Sequence, residues 1–165
     1  MPQEYICEPE TSAKCKNGGF PHPRKCDECI CPRGYGGPLC DDLPKDCKEG
    51  RKEAASGSWK EFSAFLQNPS NDGSYATCTY WITAPVNKKI QIKLDRVHTD
   101  ATIGCATGGV EIKANADHTL TGYRYCREPD DELIITSYSN RVPIILYSGA
   151  TAFATVVNLK HRYVD

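Results

Sequence analysis

The sequence predicts an all-β protein, a small disulfide-rich module followed by a larger antiparallel β-sandwich. Three observations carry this expectation. The chain of 165 residues holds ten cysteines, of which Cys7, Cys15, Cys26, Cys29, Cys31 and Cys40 crowd its first quarter. The stretch from Cys15 to Cys40, CKNGGFPHPRKCDECICPRGYGGPLC, is rich in glycine and proline and almost without aliphatic residues. Beyond it, short apolar runs of period two alternate with turn residues. The expected division is 1–43 for the small module and 44–165 for the sandwich, with Cys47, Cys78, Cys105 and Cys126 spread through the latter.

The formal charge is −1, with acids and bases interspersed. No basic stripe points to nucleic acid and no polybasic run flanks an apolar segment, so neither nucleic acid nor membrane is an expected partner. No stretch approaches the roughly 18 apolar residues of a spanning helix. The start, MPQEYICEPE, lacks the apolar h-region of a signal peptide. The cysteine load nevertheless calls for an oxidising compartment. The expectation is therefore a secreted, extracellular protein read from a fragment, or from a gene model missing its front end.

Ahead of Leu43, at the very end of this unit, only Ile6, Ile30 and Leu39 are aliphatic. So small an apolar set does not offset the conformational entropy of some 40 residues, and the module needs staples. Disulfides and a metal both serve. Small zinc sites usually present two C-x-x-C knuckles, and only Cys26–Cys29 has that spacing here. Spacing thus favours disulfides and leaves zinc as the alternative. A thioredoxin-type redox site lacks its βαβ context. The order of Cys7, Cys15 with NGG after it, Cys26, and then CICPRGYGGPLC resembles an EGF-like domain. That resemblance implies the pairs Cys7–Cys26, Cys15–Cys29 and Cys31–Cys40. Tyr35 then either covers the last disulfide or stands exposed for binding. Some EGF-like domains hold calcium through acids before the first cysteine, but only Glu4 is offered here, so this module is expected to be calcium-free.

DDLPKD, from Asp41 to Asp46, reads as a short linker between units with separate interiors. GRKEAASGSWKEF reads as a helical piece interrupted by Gly57. KKIQIKL, with Ile90, Ile92 and Leu94 on one face, is a strand, as is GGVEIKA with Val110 and Ile112. DELIITSY, PIILY and AFATVVNLK supply more, rich in β-branched and aromatic residues, with NPSNDGS and ATGG as turns. Short strands at this spacing suggest an antiparallel sandwich.

CTYWITAP, GC…GGVEIK, TGYRYC and SYSNRVPIILY, following Cys47, resemble the landmarks of a CUB domain. Tyr80 stands where the family usually has Trp, with Trp81 beside it. The implied pairs are Cys47–Cys78 and Cys105–Cys126. The EGF-then-CUB order is similar to the C-terminal region of nematode astacin-like zinc metalloproteases. The HExxHxxGxxH helix of that family is not in this sequence: His22, His98, His118 and His161 are nowhere spaced i,i+4. The resemblance therefore implies a non-catalytic region of a secreted zinc metalloendopeptidase, with no catalytic residue, metal or cofactor of its own. Zinc belongs only to the absent catalytic domain.

No G-x-S-x-G or G-x-x-x-x-G-K-[ST] occurs either. His98 and His118 read as loop residues, Arg124 and Arg127 as a solvated strand face. Many CUB domains bind calcium through three acids. Two of those positions are Gly108 and Gly149 here, leaving Asp95 or Asp100 alone, and no calcium site is expected. Asn68-Pro69-Ser70 is excluded as a glycosylation site by its proline. The expected partners are extracellular proteins or a protein substrate, met by Arg33 and Tyr35 of RGYGG and by Tyr138 and Arg141 of SYSNRVP, because arginine and aromatic residues are enriched at hot spots. The alternative is a free-standing secreted EGF–CUB interaction protein. A small intracellular zinc protein is a third reading, resting only on Cys26-x-x-Cys29.

Overall fold

The computed structural model describes residues 7–68, 73–100, 103–149 and 154–165. Glu4, the glycosylation triplet beyond Asn68, most of the NPSNDGS turn and the first two residues of AFATVVNLK lie outside them. The small module is an antiparallel hairpin of β1 (Phe20–His22) and β2 (Lys25–Ile30), with Phe20 opposite Ile30. Its six cysteines form Cys7–Cys26, Cys15–Cys29 and Cys31–Cys40. Two strands this short do not hold themselves together in water, and the crosslinks stand in for a core.

The remaining strands are β3 (Lys52–Ala54), β4 (Lys60–Leu66), β5 (Ala76–Thr83), β6 (Lys89–His98), β7 (Gly108–Ile112), β8 (Tyr123–Tyr125), β9 (Leu133–Thr136), β10 (Arg141–Ser148) and β11 (Thr155–Val164). They form a five-stranded sheet, β3-β5-β10-β7-β8, and a four-stranded one, β4-β11-β6-β9. All pairings are antiparallel except β3 with β5. Between the sheets lies the core: Phe62, Ile90, Ile92, Leu94, Val157 and Leu159 from one side meet Tyr80, Ile82, Val110, Ile112, Val142 and Ile144 from the other. Cys47–Cys78 and Cys105–Cys126 complete the pairing, and no described cysteine is free.

The helical reading of GRKEAASGSWKEF is corrected. Its span holds β3 and the start of β4, with no helix. Phe62, Ala64 and Leu66 are buried while Glu61, Ser63 and Phe65 are exposed. That period of two places one face on the core, and burial outweighs the weak helical preference of the residues before it.

β5 and β10 are buried on both faces. Tyr80, Ile82, Ile144 and Leu146 face the core. By alternation Thr79, Trp81, Pro143, Ile145 and Tyr147 face the other way, yet Trp81 and Ile145 are each only 1 % exposed. The cysteine-rich module covers them. Gly34, in the left-handed region at φ 93°, lies so close that a Cβ on it would stand 3.0 Å from Pro143 Cβ and 3.4 Å from Ile145 Cδ1. Glycine serves this loop twice, by its conformation and by its lack of a side chain.

Candidate recognition surface

The contact between module and sandwich has its own small core. Tyr35, Cys40 and Trp81 are buried together, with Cys29, Cys31 and Leu43 against them. The rings of Tyr35 and Trp81 are tilted at 5.3 Å between centroids, and Trp81 Nε1 donates to the Gly34 carbonyl at 2.7 Å. Two consecutive aromatic residues on one strand thus fill two different interiors, Tyr80 in the sandwich and Trp81 in the seam.

Charge closes the same seam. The carboxylate of Glu111, 1 % exposed, is met by Arg33 at 3.3 Å, Arg124 at 3.1 Å and Lys113 at 4.0 Å, and accepts the Gly122 N–H at 3.2 Å. Arg33 comes from the small module and the other cations from the sandwich. Arg33 and Arg124 both stand over the Tyr147 ring. A buried carboxylate needs such partners, and removing one leaves charge uncompensated. Burial pushes the Lys113 ammonium below its ordinary pKa and the Tyr35 and Tyr147 phenols above theirs. The Tyr35 hydroxyl and His118 Nδ1 share a hydrogen bond of 2.5 Å. Burial first, then Lys113 and Arg141, hold the His118 imidazole below its usual pKa.

The segment from Asp41 to Asp46 is not a loose tether. Asp42 pairs with Lys52 at 3.1 Å, Leu43 enters the seam, and Asp46 accepts from the Thr77 and Thr79 hydroxyls at 3.0 and 2.7 Å. The expectation of separate interiors is therefore corrected: the outer face of the five-stranded sheet is too apolar to stand in water and is roofed by the small module.

Three of the four candidate contact residues belong to this seam. Tyr35 is 4 % exposed and presents no free ring. Arg33 is committed to Glu111. Arg141 lies over Trp81 at 4.4 Å and near Tyr35 at 5.9 Å. Tyr138 alone stands out, 69 % exposed. Arg124, expected on a solvated face, instead joins Arg33 on Glu111. Burial of both sheet faces was legible in PIILY, a continuous apolar run rather than an alternating one.

Two concavities stand out among the described residues. A cleft of about 610 Å³ opens beside the seam, between Asn17 on the module and His118, Ser139, Asn140 and Arg141 on the sandwich. A groove of about 970 Å³ runs by the Cys105–Cys126 bond, with Glu128, Asp130 and Glu132 at its edge. These acids pair with Arg96, Arg127 and Lys93. The only metal-like grouping among the described residues is Cys47, Glu49 and Cys78, and its two sulfurs are bonded to each other. A disulfide offers no thiolate, so its two sulfurs are not ligands and Glu49 is left as the one donor of the grouping.

A two-sheet, almost wholly antiparallel sandwich closed by these disulfides, with its apolar back roofed by a cysteine-rich hairpin, defines a disulfide-linked all-β module. The family model described as CUB domain matches residues 51–157, and the chain belongs to that family. It is similar to zinc metalloproteinase nas-31 of Caenorhabditis elegans, 42 % identical over 157 residues, which are 94 % of this chain and 25 % of that protein. Zinc metalloproteinase nas-32 of the same organism is 36 % identical, over 98 % of this chain and 25 % of its own length. The chain thus spans about a quarter of these curated relatives. Among solved structures it is similar to the MASP-1 CUB2 domain bound to Ca2+, with TM-score 0.47 and 17 % identity over 67 % of this chain and 96 % of that one. The CUB1-EGF-CUB2 region of human MASP-1/3 gives TM-score 0.47 and 15 % identity over 92 % of this chain and 55 % of that one.

Proposed function

We propose that this chain is the non-catalytic EGF–CUB region of a secreted zinc metalloendopeptidase and that it binds protein substrates or partners, holding them for a catalytic domain elsewhere in the parent protein. The observation that carries this reading is the 42 % identity across nearly the whole chain to a quarter of a zinc metalloproteinase, in a sequence without HExxHxxGxxH. The seam supports it physically. A small module seated on a sheet by a buried aromatic pair and a three-cation carboxylate gives one continuous surface, and a fixed surface loses less entropy on binding than two tethered ones. Five disulfides suit an oxidising, extracellular setting.

Calcium plays no part in this reading. A Cβ on Gly108, the position at which the CUB resemblance would place an acid, would stand 2.5 Å from Thr99 Oγ1 and 3.2 Å from Thr155 Oγ1. Those hydroxyls, 3.0 Å apart, fill the room a carboxylate would need.

The test is competition in trans. Added free to a peptidase that carries this region, the chain should raise KM for a protein substrate without changing kcat. Protein-substrate kinetics indifferent to a large excess of the free chain would refute substrate binding by this surface.

A further inference from the structure

We infer that the cleft at Arg141 is a binding site for the side-chain carboxylate of an Asp or Glu in an extended protein segment. This deepens the binding role proposed above and rests on it only for the kind of ligand. Arg33, Arg51, Arg96, Arg124 and Arg127 each pair with a carboxylate of this chain. Arg141, half-buried in a concave site, has no carboxylate partner among the described residues. Its guanidinium donates a long hydrogen bond from Nη1 to Asn17 Oδ1 at 3.5 Å and also lies within reach of the Tyr35 hydroxyl, both of them neutral partners.

The guanidinium is nevertheless held in place. It lies over the Trp81 ring at 4.4 Å, and that ring is itself fixed by Tyr35 and by the Gly34 carbonyl. A stacked guanidinium keeps its fork of N–H donors in a set plane, which suits the two oxygens of a carboxylate. The polar walls are tied to backbone as well. Asn17 Nδ2 donates to the Cys40 carbonyl at 2.7 Å, Asn140 Nδ2 to the Ala84 carbonyl at 3.0 Å, and Ser139 Oγ to the Arg141 carbonyl at 3.1 Å. The site is thus preorganised, at the junction of two units, where ligand clefts commonly form.

The charge balance selects the ligand. Asp117 also lines the cleft, its carboxylate accepting from the Thr119 N–H at 2.9 Å and the Thr119 hydroxyl at 2.5 Å. One arginine facing one rim acid attracts a singly charged carboxylate and gives little hold on a phosphate or a sulfated chain, whose several charges call for a cluster of cations. The cleft is open rather than closed over, so the ligand enters as part of a longer segment.

The experiment is a nitrogen-15 NMR titration of the whole chain with an acetylated, amidated Gly-Glu-Gly peptide, with its Gly-Gln-Gly counterpart and with sodium sulfate. The Glu peptide should give saturable shifts at the Arg141 side chain and at the backbone amides of His118 and Asn140. The Gln peptide should bind at least about tenfold more weakly, the size of one charge-assisted hydrogen-bond pair. Arg141→Lys, which keeps the charge and loses the fork, should weaken the Glu peptide by a similar factor. Ala116→Glu places a carboxylate on the exposed rim of the cleft and should abolish binding, while Ala106→Glu at the other end of the sheet should not. Equal binding of Glu and Gln peptides, no shift at these residues, tighter binding of sulfate than of the Glu peptide, or an Ala116→Glu variant that binds as before would each overturn the assignment. The titration uses no peptidase. Its failure would leave the competition test above untouched, so the two claims fall separately.

Discussion

Replacing Tyr35 by alanine should destabilise the sandwich, although Tyr35 belongs to the small module. The ring is 4 % exposed, and its removal takes away the partner of Trp81 at 5.3 Å and of His118 at 2.5 Å. Truncating a buried aromatic to alanine costs about 3–5 kcal/mol, a figure that includes the cavity left behind. The aromatic pair accounts for about 0.5–1.5 kcal/mol of that. In a chain of this size each kcal/mol moves Tm by about 2–4 °C, so Tm should fall by about 6–20 °C. Differential scanning calorimetry measures it, with near-ultraviolet circular dichroism following the Trp81 environment through the same transition. If the seam couples the two units, the main sandwich transition itself moves. A sandwich transition unchanged in Tm, with only a minor early transition lost, would refute the reasoning and restore separate interiors.

Two further outcomes follow from the same geometry. Tm should be the same in millimolar calcium and in EDTA, because Gly108 and Gly149 supply no carboxylate; a rise of several degrees with calcium would contradict the reading of that loop. Acid should destabilise the protein. His161 is fully buried with neither ring nitrogen hydrogen-bonded among the described residues, and burial is the chief cause of its lowered pKa, with Lys60 lowering and Glu53 raising it. His118, facing Tyr35, Lys113, Arg141 and Asp117, is lowered in the same way. A folded-state pKa below the unfolded value of about 6.5 means that stability is fully present above that pH and is lost as pH falls below it. Thermal scans from pH 7.5 to 5 should show this loss, and His161→Leu should lessen it. A slope identical in that variant would show that His161 takes no part.

Much of the fold was legible because cysteine spacing and period-two strands are local signals. Ile90, Ile92 and Leu94 announce β6 without any help from the rest of the chain. The segment from Gly50 to Phe62 misled, since three residues of β3 are too few to show a period and, of Phe62, Ala64 and Leu66, only Phe62 falls inside the stretch read as helix. The seam was hidden for a different reason. Nothing local to RGYGG says that Gly34 will lie against Pro143 more than a hundred positions away, so Tyr35 read as a cover for the Cys31–Cys40 bond or as a contact residue, and Arg33 as a contact residue, rather than as parts of a seam. The trace that existed was the doubled aromatic Tyr80-Trp81 together with the unbroken run PIILY, which between them require a cover on the second face of the sheet. Arg141 was singled out by residue type alone, and only the structure shows it stacked on Trp81 and lining a cleft.

The most direct test of the proposed role is kinetic. A parent zinc peptidase should be assayed with and without this region, on a folded protein substrate and on a short peptide. Deleting the region should raise KM for the protein substrate and leave the peptide unaffected, because only the larger substrate reaches the accessory surface. Equal protein-substrate rates with and without the region would contradict substrate binding and would make it a spacer or a stabiliser of the parent fold.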